Sequence, residues 1–365
     1  MPEPFKNLIT RELLQQVASD IQSVYEPFQI DGFLNAVFDD SWEDLELKAR
    51  VRHISVQLAG FLPKNYPDAI GVLDQVVANY GSWLDGFAWF FPDFVETHGQ
   101  ADEHWDISVA ALERYTRYSS SELAVRPFII RDEARMMQQM YEWARHEDEL
   151  IRRLASEGSR PQLPWAMAIP SFKADPTPVL PILEQLKDDP SETVRRSVAN
   201  NLNDISKTHP ELVAKIATEW YGKSKNTDWI VKHACRTLLK QGNREVLGIF
   251  GYDDGDSISV SSLSASAASI LCGEDLVFSF TVSTSAATKV RLEYGIDYVK
   301  ANGKTSRKIF QLSELTMKAD ETRNYDRKQS FADMSTRKHY PGTHTITLIV
   351  NGVERGSVSF ELLAG

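Results

Sequence analysis

Apolar residues recur every three or four positions through the first 250 residues, then switch to alternation. Leu180, Leu183 and Leu186, followed by Val194, Val198, Leu202 and Ile205, carry the helical period. Beyond Gly255 the runs SISVSSLSASAASI, VFSFTVST and KVRLEYGIDYV are short, alternating and β-branched. Near the end, HTITLIV and VERGSVSFEL flank Asn351-Gly352, the pair that a type I′ hairpin turn favours. The pattern predicts a mainly α chain: a helical domain over 1–255, then an all-β immunoglobulin-like sandwich over 256–365. GYDDGD at 251–256 is the expected linker.

The helical part contains a repeat. DELIRRLASEG (148–158), SETVRRSVANN (191–201) and DWIVKHACRTL (228–238) align without gaps, with Ile151, Val194 and Val231 matching at spacings of 43 and 37 residues. A period of about 40–47 residues is that of HEAT-like helix pairs, which stack into a curved solenoid. The expected helices are 147–160, 191–207 and 228–241. On their polar faces Arg153, Glu157 and Arg160 form one row, Arg196, Asn200 and Asp204 a second, and Lys232, Arg236 and Lys240 a third. Side by side, these rows predict a mostly cationic groove with carboxylates inside it.

Charge sharpens this picture. The net charge is −11, but residues 1–109 hold 6 Lys and Arg against 18 Asp and Glu. Residues 110–250 hold 21 against 19, so a basic surface is compatible with the acidic total. The basic residues of the β-domain gather at 300–308 and 323–338, which suggests a second contact with a polyanion. Two distant cysteines, Cys235 and Cys272, point to a reducing cytosol and away from a zinc cluster. There is no leader-like start and no apolar run long enough for a bilayer, so no membrane is expected. Nor is there a GxSxG, Walker A, GxGxxG or HExxH motif, so neither cofactor nor metal is expected.

Four strings, SSSELAVRPFI (119–129), RRLASEGSRPQLPWA (152–166), RRSVANNLNDISKTHP (195–210) and WIVKHACRTLLKQG (229–242), resemble the signature segments of AlkC-type DNA alkylation-repair glycosylases. These belong to the HEAT-like-repeat superfamily shared with the AlkD type. The β-domain is similar to the extension that some AlkC-type members carry, while 1–109 matches only in general character. Gln162 departs from the basic residue expected there. The resemblance implies hydrolysis of the N-glycosidic bond of cationic alkylated bases, 3-methyladenine chiefly and 3-methylcytosine also. The partner would be double-stranded DNA, approached without full base flipping by a monomer in the bacterial cytosol.

The chemistry fits. A methylated cationic base is already a good leaving group, so the enzyme mainly needs negative charge near C1′ and a positioned water. Glu157 stands at a helix C-terminus, where a carboxylate is mildly unfavourable, and Asp204 lies in the poorly helical ANNLNDI; both costs suggest a site. Glu122 joins them through the matched SSSELAVRP string, although a helix-capping role or an i,i+4 pair with Arg126 explains it equally well. Trp165 in the LPW string is the aromatic expected against the lesion or its sugar. Arg153, Arg160, Arg196, Lys232 and Arg236 are expected phosphate contacts. The competing expectation is a HEAT-repeat scaffold that binds DNA or protein without catalysis.

Overall fold

The computed structural model describes residues 4–80, 88–334 and 337–365. A helical region comes first: α1 (Arg11–Val24), α2 (Ile30–Val37), α3 (Leu47–Phe61), α4 (Tyr66–Ala78), α5 (Phe90–His98), α6 (Trp105–Tyr115), α7 (Arg126–Arg131) and α8 (Glu133–Trp143). It continues through α9 (Glu149–Gly158), α10 (Pro170–Ala174), α11 (Leu180–Leu186), α12 (Glu192–Ile205), α13 (Pro210–Trp220), α14 (Lys225–Ala234), α15 (Arg236–Lys240) and α16 (Arg244–Ile249). An immunoglobulin-like β-domain follows. The chain divides into two compact units. One runs through Thr208 and includes Gly222–Ala234; the other is His209–Tyr221 with Cys235–Gly365.

In the first unit, helix starts follow from local chemistry. Thr10, Asn65, Asp132, Asp148 and Ser191 each accept a first-turn backbone N–H, which satisfies a donor the helix itself cannot. Helix α9 packs on α12, and α12 on α14, with α8 and α11 beside α9. These are the matching helices of the repeat, lying side by side as the period requires. The helix expected over 228–241 is broken. At Cys235 ψ is 3°, and α15 begins afresh at Arg236. No Gly or Pro announces this break, and the apolar pattern runs straight through it.

In the second unit, β1 (Ile258–Ala265), β3 (Asp275–Thr284) and β6 (Thr322–Ser330) form one sheet in the order β1-β3-β6. The other holds β2 (Ser269–Leu271), β4 (Thr288–Val299), β5 (Thr305–Met317), β7 (Gly342–Val350) and β8 (Val353–Leu363), in the order β2-β8-β7-β4-β5. Alternation in β3 sends Leu276, Phe278, Phe280 and Val282 into the core, where they join Ile296, Leu348 and Phe360. The β7–β8 turn has Asn351 at φ 48° and Gly352 at φ 76°, the two left-handed residues of a type I′ turn. A Cβ on Gly352 would stand 2.7 Å from the Gly242 Cα, so the close approach also demands glycine. Asn351 is fully buried. Its Oδ1 accepts from Arg291 N at 2.8 Å, and its Nδ2 donates to Lys289 O at 3.1 Å and Asp253 O at 3.2 Å. The turn residue therefore also anchors the linker to the sandwich.

Candidate active site

The end of α9 and the polar face of α12 from Ser197 onward meet in a buried polar seam. Glu157, Arg160, Ser197, Asn201, Asn203 and Asp204 are all buried here. Arg160 sits between two carboxylates: Nη1 donates to Glu157 Oε1 at 2.6 Å, and Nε donates to Asp204 Oδ2 at 2.7 Å. Each carboxylate has a second donor. Ser197 Oγ donates to Glu157 Oε2 at 2.6 Å, and Lys207 Nζ to Asp204 Oδ1 at 2.8 Å. Asn201 Nδ2 closes the seam on Ser156 O at 2.8 Å. Burial lowers the Arg160 pKa, but the charges and hydrogen bonds of Glu157 and Asp204 outweigh it and leave it raised. A buried charge group of this kind is costly unless every member is held, and here each carboxylate is gripped from two sides.

Glu122 lies one step away. Its oxygens stand 3.4 Å from Arg153 Nη1 and Nη2, and Arg153 Nη1 also donates to Ser120 Oγ at 2.9 Å. The neighbouring charges of Glu122 and then Glu157 raise Arg153 against its burial. The sequence offered Arg126 as an i,i+4 partner for Glu122, but the guanidinium of Arg126 goes elsewhere. It donates to the carbonyls of Gly158 at 3.0 Å, Arg160 at 2.8 Å and Met167 at 2.6 Å. Burial, with Arg160 close by, lowers its pKa to about 10. One buried arginine thus ties the end of α9 to the loop that carries Trp165.

Trp165 has φ 65°, a left-handed conformation that is strained for a bulky residue. Its side chain is exposed, flanked by the rings of Trp89 at 6.0 Å and Phe5 at 6.3 Å. The strained loop thus leaves an exposed indole packed edge-on between two other aromatic rings.

The remaining expected contacts are spread more widely. Arg196 is exposed and pairs with Glu192 at 2.5 Å. Lys232 is exposed on α14, and Arg236 opens α15 half-buried. In the β-domain, Lys300, Lys308, Arg337 and Lys338 line one hollow of about 320 Å³ with Tyr298 and Tyr340. Desolvation and then the Arg337 charge lower the pKa of Lys308. Among the described residues, no group of three or more His, Cys, Asp or Glu is placed to hold a metal ion.

The family model "DNA alkylation repair enzyme" matches residues 118–238, the stretch that carries Glu122, Glu157, Trp165 and Asp204. A solved structure, Pseudomonas fluorescens alkylpurine DNA glycosylase AlkC bound to DNA containing an abasic site analogue, is 37% identical with a TM-score of 0.93, covering 99% of each chain. The chain belongs to the AlkC-type DNA alkylation repair family. A second model, the C-terminal Ig-like domain of YhaZ, matches 259–364. The Bacillus subtilis (strain 168) protein described as "Uncharacterized protein YhaZ" is 47% identical over 357 residues, covering 98% of this chain and 99% of its own. The AlkC-type frame therefore spans both the helical region and the β-domain.

Within that frame, sequence reasoning missed Ser120, Arg126, Ser197, Asn201 and Lys207 as parts of the seam. A signal for two of them was present, alongside Asp204. Ser197, Asn201 and Asp204 stand at i, i+4 and i+7, one polar stripe beside the apolar stripe of Val194, Val198 and Leu202. Arg126 offered no such signal, because its partners are backbone carbonyls about 30–40 residues away.

Proposed function

We propose that this chain is a monofunctional DNA glycosylase. It hydrolyses the N-glycosidic bond of cationic alkylated bases in double-stranded DNA, 3-methyladenine chiefly and 3-methylcytosine also. The observation that carries the reading is the pair Glu157 and Asp204, buried and held on either side of Arg160. Two preorganised carboxylates at one seam supply the negative potential that an oxocarbenium-like sugar needs. Glu122, one ion pair further out through Arg153, adds to that potential and orients the water with them. Trp165 lies against the lesion or its sugar. Arg160 then serves the carboxylates first. Arg153, Arg196, Lys232 and Arg236 take phosphates, and the basic hollow of the β-domain takes further ones. The glycosylase domain is 1–255 and the sandwich 256–365; the protein acts as a monomer in the cytosol, without a metal and without full base flipping.

A non-catalytic scaffold explains the basic residues but gives no reason to bury Glu157 and Asp204 in a DNA-binding groove. The deciding experiment is release of free 3-methyladenine from methylated duplex DNA at neutral pH with a chelator present. Neutral lesions such as ethenoadenine lack the leaving-group advantage and are released slowly or not at all. Absence of any base release, with DNA binding intact, selects the scaffold.

A further inference from the structure

A cavity of about 370 Å³ opens beside the seam, between α3, α5 and the loop after Trp165. Its volume is in the range of small-molecule sites, roughly 300–1,000 Å³. Two of its walls are shared with the candidate active site. Leu123 and Ala124 directly follow Glu122, and Ser120 accepts the Arg153 hydrogen bond. Ala166 and Met167 directly follow Trp165, and Trp89, across the cavity, has its ring 6.0 Å from that of Trp165. The aromatic and apolar surfaces are Trp89, Pro92, Leu123 and Met167.

The charged wall comes from the N-terminal helices. Arg52 on α3 donates to both oxygens of Asp93 on α5, at 2.8 and 3.0 Å, and also to Glu96. Lys48 completes the set. Two cations face two carboxylates, so the cavity is charge-balanced. Burial, with the Asp93 charge nearby, raises the pKa of Glu96 despite Arg52. An aromatic and apolar lining with carboxylate acceptors and a guanidinium along one wall fits a neutral heterocycle bearing an amino group.

We propose that this cavity receives the methylated base once its bond to the sugar has broken. The idea rests on the glycosylase reading above. In that reaction the C1′–N bond breaks with its electron pair remaining on the base nitrogen. A base that was cationic while attached therefore leaves neutral. Water adds at C1′ and gives up its proton to solvent. Without its positive charge the base is no longer held by the carboxylates of the seam, and the charge-balanced cavity behind the Trp165 loop is where it can go. The N-terminal helices thereby acquire a role in product handling.

The test uses the full chain and free 3-methyladenine as the probe, followed by equilibrium dialysis and ligand-observed NMR. Wild type is expected to bind the free base, and added base is expected to inhibit turnover on methylated DNA. Ala166→Trp fills the slot and Glu96→Gln removes an acceptor; each is expected to weaken base binding by about tenfold or more, with inhibition weakened in parallel. Melting curves confirm that both variants are folded, and either variant suffices. No binding of free base at millimolar concentration overturns the proposal, as does undiminished binding in both variants. Base release by wild type combined with such a result leaves the glycosylase reading standing. Absence of base release from methylated DNA removes that reading and this proposal with it.

Discussion

Glu157 is nine-tenths buried and still ionically engaged, a state that persists because Arg160 and Ser197 hold its two oxygens. In the proposed reaction a carboxylate so placed acts only as positive charge develops on the sugar, so its effect would belong to the transition state. Glu157→Gln and Asp204→Asn are expected to slow single-turnover base release by about 10²–10³, the usual loss for one preorganised electrostatic group. DNA affinity is expected to stay level or rise slightly, because the proposed phosphate-binding surface would have lost a negative charge. Lost binding and a lowered melting temperature alongside the lost activity indicate a structural role instead. Ser197→Ala removes one donor to Glu157 and is expected to cost about ten- to a hundredfold in the same assay. Arg126→Met leaves two buried carbonyls and one part-buried carbonyl without their donor and is expected to lower stability by about 2–5 kcal/mol, the usual cost of orphaned buried groups, read by denaturant titration.

Among the elements, α9 shows how a helix end is made to carry a site. Its N-terminus is capped by Asp148, its apolar face is Ile151, Leu154 and Ala155, and its last residue is Gly158. A Cβ there would meet Val125 Cγ2 at 2.7 Å and Met140 Cε at 3.2 Å, so glycine lets α9 approach the segment before α7 closely. Gly158→Ala is expected to destabilise by about 1–3 kcal/mol through overpacking and to displace Glu157. Thermal melting and base release are expected to fall together in this variant. In the sandwich, the β7–β8 hairpin depends on Asn351 both for its turn and for the three hydrogen bonds to Arg291, Lys289 and Asp253. Asn351→Ala is expected to lower the melting temperature of the full chain while leaving the seam intact.

At the scale of the whole molecule, the β-domain is joined to more than a linker. Helices α13, α15 and α16 belong to its compact unit, and Lys289 Nζ donates to Phe250 O at 3.0 Å. A chain ending at Gly255 is therefore expected to be less stable, to bind lesion DNA more weakly and to release base more slowly; equal activity refutes a DNA-contacting role for the sandwich. Lys308→Ala with Arg337→Ala is expected to weaken binding across sequences and to reduce the salt slope by about one per lost phosphate contact. The sequence by itself determined the two-part architecture, because a period near 3.6 and a period of 2 bury different faces and cannot be exchanged. It also determined the repeat, the Asn351-Gly352 turn and the residues of the family motifs, since each is a local pattern. Only the tertiary structure decided which charges meet. Glu122 turns to Arg153 instead of Arg126, Arg160 bridges carboxylates from two helices, and α3 and α5 build a cavity against the Trp165 loop. Apart from the local Glu157–Arg160 pair, these pairings join residues from about 30 to more than 100 positions apart, and such a buried side chain is assigned its partner by the packing of whole helices, not by its neighbours along the chain.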